Sequence, residues 1–369
     1  MVRAIGLMSG TSFDGVDAAV IDTDGERIAG FGPTAYRPYT DEERNLLRQA
    51  LADAVALTDR VSRPGVLREA EELTTRTHAE TVERLLADHR IAANDIAVVG
   101  FHGQTVIHKP QARLTVQVGD GPGLARRLGI PVVYDFRQND IAAGGQGAPL
   151  VPVFHRAIVA TVTRPHPVAV LNIGGVANVT FCDGGPDPIA CDTGPGNALI
   201  DDFMRLHTGA RYDDNGDVAA TGKPDPAFIA RVLEHPFFDL KPPKSLDRND
   251  FPATPVQGLS PADGAATLVA FTVETVRRSL DHLPGKPKRW LVTGGGRLNP
   301  TIMQSLAEAL KAPVAPVDAV GWQGDFLEAQ CFAFLAVRSL RGLNLSVPTT
   351  TGAPKPMTGG VLHRARKAA

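Results

Sequence analysis

The sequence predicts a two-domain α/β protein, and three observations carry that expectation. At 369 residues the chain exceeds the size at which one hydrophobic core keeps growing. Short apolar strand patterns alternate with longer helical periods, as α/β layers require. A Gly-rich hairpin at the N-terminus recurs in kind around Asn172 to Gly175, pointing to two halves built alike.

The elements follow in order. Arg3 to Leu7 and Val16 to Asp22 read as strands around the turn-rich segment Met8 to Gly15. Helical periods cover about Asp41 to Asp53 and Pro64 to Ile91, followed by strands Ile96 to His102 and Thr115 to Val118, a short helix from Pro122, and strand Val132 to Tyr134. The expected division assigns 1–131 with 350–369 to an N-terminal domain and 132–349 to a C-terminal one, with Thr358 to Leu362 returning to the first. In the C-terminal part, Val168 to Leu171 and Val176 to Phe181 form the second hairpin. Helices at Ala198 to His207, Asp225 to His235, Ser260 to Leu280, Asn299 to Leu310 and Glu328 to Leu340 then alternate with strands Arg289 to Val292 and Val314 to Val317.

Composition narrows the function classes. A hydrophobic fraction of 43% with 21% charged residues describes a soluble globular chain. The net charge of −2 and the dispersed Lys and Arg residues argue against nucleic acid and anionic membrane as partners. No stretch approaches the roughly 18 apolar residues of a membrane span. The N-terminal MVRAIGLMSGTS has no signal-peptide core, so a cytoplasmic location is expected. Cys182, Cys191 and Cys331 lack metal-type spacing and read as reduced packing residues. The sequence leaves the oligomeric state open, and a homodimer is compatible with it.

The chemistry sits in Gly-rich turns. In the first hairpin, Gly10, Thr11, Ser12, Phe13, Asp14, Gly15, Val16 and Asp17 offer backbone amides and hydroxyls to phosphate oxygens. Asp14 or Asp17 suits Mg²⁺; the bland alternative is an ordinary turn. In the second, Asn172, Gly174, Gly175 and Asn178 repeat that chemistry. Together the two hairpins point to a nucleotide held between domains. Gly294, Gly295 and Gly296 leave a strand and enter a helix, where backbone can lie against a nucleotide, and no GxxxxGKS/T loop occurs in the chain.

Asp192, in Cys191-Asp192-Thr193-Gly194-Pro195-Gly196-Asn197, is read at a tip before a helix, as a general base, a metal ligand or simply a helix cap. A dinucleotide fingerprint fails there because Leu199 replaces the third glycine. His102, Gly103, Gln104 and Thr105 close an apolar strand with groups suited to a sugar. Arg137 offers a planar fork to a substrate carboxylate, near Asp140 and Gln146 in a Gly-rich loop. Glu328 begins the last long helix, as a complement to its dipole or as a site residue.

Read in order, GLMSGTSFDGVDAA, GFHGQT, VQVGDG, DFRQNDIAAGGQGAPLVP, LNIGGVANVT, DTGPGN, VTGGGRLN and DFLEAQCFAFLA resemble the anhydro-N-acetylmuramic acid kinase family of bacterial cell-wall recycling. The segments from Thr34 to Ala93 and Asp213 to Pro255 are less diagnostic. The resemblance implies an actin, hexokinase and Hsp70-like (ribonuclease H-like) fold, with ATP and a sugar meeting in an interdomain cleft. It implies 1,6-anhydro-N-acetylmuramic acid as substrate and phosphorylation at O6 coupled to hydrolytic ring opening. ATP and Mg²⁺ are the implied cofactors, Asp192 matches the catalytic aspartate, and Glu328 has an assisting place. An ordinary sugar hydroxyl kinase of the same fold and a nucleotide-switched binding module are the alternatives.

Overall fold

The computed structural model describes residues 1–10, 12–162, 166–246, 251, 256 and 258–365. The chain divides into two compact units, Met1–Thr161 with Phe326–Ala369, and Val162–Asp325.

In the first unit β1 (Val2–Met8), β2 (Gly15–Thr23) and β3 (Ile28–Pro38) form an antiparallel meander. Next in the chain come β4 (Val98–Phe101), the hairpin of β5 (Gln104–Lys109) and β6 (Leu114–Val118), and β7 (Val132–Tyr134). β4 lies parallel to β1 and β7 parallel to β4, and strand Val361–His363 closes the edge antiparallel to β7. Helix Leu67–Asp88 covers one face, burying Ala79, Val82 and Leu85 against Ile5, Leu7 and Val99. On helix Asp41–Ala54, a reciprocal capping box between Thr40 and Glu43 fixes the start.

Helix Leu327–Leu340 packs on β1 and β4, and two glycines set how close it comes. A Cβ on Gly6 would fall 1.7 Å from the Ala329 carbonyl oxygen, and one on Gly100 would fall 2.0 Å from that of Phe332. The helix backbone therefore rests directly on the strands, and every one of its residues from Ala329 to Arg338 is buried.

The second unit repeats the plan. β8 (Val168–Ile173), β9 (Val176–Cys182) and β10 (Ile189–Pro195) form the meander, while β11 (Arg289–Thr293) and β12 (Val314–Pro316) extend it in parallel from β8. The strand order β10-β9-β8-β11-β12 corresponds to β3-β2-β1-β4-β7 of the first unit. The repetition expected from the two hairpins thus extends to whole sheets, in the α/β class the sequence predicts. Helices Asn197–Thr208, Pro261–Ser279 and Pro300–Leu310 pack against this sheet around Phe203, Phe271 and Trp290.

The unit boundaries differ from the expected division at 131/132 and 349/350. β7 begins at Val132 and lies inside the first sheet, and helix Pro152–Val159 and helix Leu327–Leu340 belong to the first unit as well. The Gly- and Gln-rich loop is folded structure of that unit. Among the described residues no helix is long and apolar enough to cross a membrane. Cys182, Cys191 and Cys331 are buried, and none is in a disulfide.

The glycine contacts are directly testable. Gly100→Ala, which drives a methyl into helix backbone, is expected to cost roughly 3 kcal/mol in urea unfolding, at the upper end for overpacking. Gly30→Ala, whose Cβ meets nothing within 4 Å, should stay within about 0.5 kcal/mol of the parent. Equal stabilities for the two variants would contradict the packing described.

Candidate active site

Because β1, β4 and β7 are parallel, their carboxyl ends open at one edge, where ligands of such sheets bind. His102, one residue beyond β4, is buried. Its Nδ1–H donates to the Gly103 carbonyl at 2.8 Å, which leaves Nε2 as the acceptor for Arg137 Nε at 3.1 Å and Nη2 at 3.0 Å. Burial, and then the neighbouring guanidinium, hold the imidazole well below its usual range, so His102 is neutral. Arg137 Nη1 donates to the Gly147 carbonyl at 2.7 Å. Burial also lowers the Arg137 guanidinium, while Glu328 opposes that shift.

Glu328 lies in the first turn of helix Leu327–Leu340 and presents surface to solvent. Even so, the atoms packed around it raise its carboxyl, with Arg137 pulling the other way. Gln104 is fully buried and its Nε2 donates to the Gly10 carbonyl at 3.3 Å, tying the sugar-type edge to the first Gly-rich turn. Thr105 accepts from Gln117 within the β5–β6 hairpin.

Other expected residues serve packing. Phe13, at φ 57°, and Val16 are buried in an apolar cluster. Gly15 makes room for strand β3, since a Cβ there would lie 2.3 Å from the Arg37 carbonyl oxygen. Ser12 and Asp14 are exposed at the turn, and the Asp14 carbonyl is taken by Tyr39 N–H and the Tyr36 hydroxyl, both at 2.9 Å. Asp17 is half-buried opposite Tyr36. Thr11 lies outside the described residues. Asp140 is buried and accepts three internal hydrogen bonds, from Gly147 N–H and the Ser346 and Thr351 hydroxyls. The Gln146 N–H donates to the Thr351 carbonyl at 2.8 Å.

In the second unit, strand register aligns the polar residues. Thr293 pairs with Asn172, Asn172 with Asn178, and Asn178 with Asp192, so one row crosses β11, β8, β9 and β10. Directly paired residues share a face, so the row presents a hydroxyl, two amides and a carboxylate side by side. Gly294, at φ 76°, and Gly296 bring the turn after β11 against this row's end. Cβ atoms there would lie 2.4 Å from Asn172 Oδ1 and 2.5 Å from Ile173 Cγ2. Gly295 sits beside Asn197, whose Nδ2 donates to the Ile173 carbonyl at 3.1 Å. The Gly174 and Gly175 carbonyls accept from Asn197 and Gly196 N–H, fixing the second turn to the start of helix Asn197–Thr208.

Asp192 is therefore not at a helix tip and caps no helix: β10 continues through Pro195, and Gly196 precedes the helix. Its Oδ2 accepts from Leu246 N–H at 2.7 Å, and its own N–H donates to the Lys244 carbonyl at 3.0 Å. Burial pushes the carboxyl up to about 7, against the pull of the Leu246 N–H and the Lys244 charge. Lys244 itself turns to the Phe237 carbonyl at 3.0 Å and that residue's ring, and burial lowers its ammonium. The Lys244–Leu246 support went unread in the sequence because it acts through backbone groups, which carry no side-chain signature. Cys191, beside Asp192, is pushed up to about 12 by burial and is no nucleophile.

The family model described as Anhydro-N-acetylmuramic acid kinase matches residues 2–365. The chain belongs to the anhydro-N-acetylmuramic acid kinase family. Enzymes of that name from Nitrobacter winogradskyi and Bradyrhizobium diazoefficiens are each 56% identical over 365 residues, covering 99% of this chain and 100% of theirs. The family member from Azorhizobium caulinodans is 57% identical over 368 residues, 98% of this chain and 99% of its own. Among solved structures, the Acidaminococcus fermentans (R)-2-hydroxyglutaryl-CoA dehydratase component A aligns at 12% identity and TM-score 0.48, covering 92% of this chain and 100% of that one. A ROK family glucokinase from Streptomyces griseus aligns at 15% identity and TM-score 0.40, covering 90% and 99%.

The raised Asp192 carboxyl makes a stability prediction. The folded protein holds this proton more tightly than the unfolded chain, so the stabilisation is fully present below about pH 3.8 and is lost as pH rises toward about 7. Relative to the parent, Asp192→Asn should gain melting temperature between pH 4 and 8. A difference independent of pH would show that Asp192 titrates normally.

Proposed function

We propose that this protein is an ATP-dependent kinase that converts 1,6-anhydro-N-acetylmuramic acid and water to N-acetylmuramic acid 6-phosphate and ADP in peptidoglycan recycling. Family membership over residues 2–365 supports the reaction, and the Asp192 row is the observation that carries its chemistry. A carboxylate poised near neutrality suits a general base working at physiological pH.

Asp192 takes a proton from water as the water oxygen bonds to C1 of the sugar. The C1–O6 bond breaks, O6 bonds to the γ-phosphorus, and the bond from that phosphorus to the bridging oxygen breaks to release ADP. The proton remains on Asp192 until solvent removes it. Asn178 lies directly beside the carboxylate and Asn172 one strand further along the same row. The turns at Gly10 and Ser12 and at Gly174 and Gly175 supply backbone and hydroxyl donors to phosphate oxygens, with Gly294–Gly296 on the adenosine side. Beyond its bonds to His102 and Gly147, Arg137 keeps two of its five N–H donors for the lactyl carboxylate.

Among the described residues no group of three or more His, Cys, Asp or Glu side chains forms a metal cage. Mg²⁺ carried largely by nucleotide phosphates needs only one or two carboxylates, and the exposed Asp14 at the first turn fits that demand. Bound there, Mg²⁺ would neutralise charge on the transferred phosphoryl group.

Asp192→Asn is expected to reduce turnover by roughly 10²- to 10⁴-fold while ATP binding is retained. In the parent, kcat/KM for the anhydro-sugar should rise with pH to a plateau above about 7, because the base must be ionised. In ¹⁸O-labelled water, with anomeric exchange suppressed, the label should enter at C1 and not in the phosphate. Product formed without label at C1 would replace the coupled reaction with ordinary hydroxyl phosphorylation.

A further inference from the structure

We infer that Asp140 is a positioning residue that aims Arg137, and through it His102, by holding Gly147 in place. Gly147 is pinned at both of its backbone groups: its N–H donates to Asp140 Oδ1 at 2.6 Å, and its carbonyl accepts from Arg137 Nη1 at 2.7 Å. Its φ of 67° belongs to the left-handed region, and a Cβ there would lie 2.6 Å from Ile141 Cγ1, so the turn depends on glycine.

Asp140 is only 2% exposed, and its second oxygen accepts from the Ser346 and Thr351 hydroxyls, the latter at 2.6 Å. The carboxylate is thus buried and engaged by internal donors on both oxygens, which keeps it from a substrate hydroxyl. Gly145 passes so close that a Cβ would meet Asp140 Oδ1 at 2.2 Å, and Gln146 N–H is held by the Thr351 carbonyl. The loop 144–147 wraps the carboxylate on one side while 346–351 closes the other. The relay runs from the Ser346 and Thr351 hydroxyls through Asp140 and Gly147 to Arg137, and ends at His102 Nε2. Every link is a hydrogen bond inside the first unit.

The consequence for substrate rests on the proposed role of Arg137 with the lactyl carboxylate. Without the Asp140 anchor, the Gly147 carbonyl moves, the guanidinium loses one of its three orienting bonds, and the hydrogen bonds that His102 Nε2 accepts from Arg137 loosen. Affinity for the sugar then falls while the nucleotide turns are untouched.

Two readouts separate the relay from that functional reading. In the ¹⁵N-histidine-labelled full-length protein, Asp140→Asn is expected to shift the His102 Nε2 resonance, because the Arg137 donors on that nitrogen move, while Nδ1 stays protonated on the Gly103 carbonyl. The same variant should raise KM for the anhydro-sugar roughly three- to tenfold, the worth of one hydrogen bond, with KM for ATP unchanged. Thr351→Val should show a smaller change in the same direction, and Thr351→Ser, which restores the hydroxyl, should return both readouts to the parent values. Unchanged His102 resonances in a folded Asp140→Asn variant would overturn the relay. So would a parallel rise of both KM values with a lowered melting temperature and no rescue by Thr351→Ser. If shifted resonances accompany an unchanged sugar KM, the relay stands and the assignment of Arg137 to the substrate fails.

Discussion

The first unit depends on the contact between helix Leu327–Leu340 and two glycines. Without side chains at Gly6 and Gly100, the helix backbone reaches β1 and β4 at a distance no other residue permits. That approach carries Phe332 onto the His102 ring, with centroids 4.5 Å apart, and onto Phe136 at 5.3 Å. The same packing places Glu328 in the electrostatic surroundings of Arg137. Apolar burial along one helix therefore sets the positions of an imidazole, a guanidinium and a carboxyl group.

Desolvation shifts ionisable groups of both units toward their uncharged forms, raising acids and lowering bases. Desolvation pushes Asp192 and Glu328 up and His102 down. The His102 imidazole thereby becomes a fixed acceptor and the Asp192 carboxylate a stronger base than an exposed aspartate. Backbone partners temper these shifts: Leu246 N–H on Asp192, the Gly103 carbonyl on His102. The reactive character of the residues is a property of their surroundings as much as of their side chains.

Both hairpins were legible because alternating apolar residues flank Gly-rich turns, and the helices because their apolar periods are long. β3 and β10 escaped because they are edge strands, where Pro33, Pro38 and Pro195 cost no ladder hydrogen bond and read as turn residues. That is also why Asp192 was expected before a helix when it lies within a strand. The pairing of His102 with Arg137 was not legible, since it follows from β4 lying beside β7 and not from any local pattern. Likewise, Asp140 carried the marks of a ligand in sequence, and only its three internal donors show that it holds the protein itself.

The division of the chain also governs the order in which it can assemble. Val162–Asp325 is one uninterrupted stretch, whereas the other unit needs Met1–Thr161 to wait for Phe326 onward. During synthesis, β1 and β4 emerge early with Gly6 and Gly100 uncovered, and an apolar sheet face stays open until the helix that seals it leaves the ribosome. The inserted unit can close before the unit that surrounds it. A nascent chain halted after Asp325 would thus hold one completed unit beside a sheet whose Gly6 and Gly100 face is still uncovered.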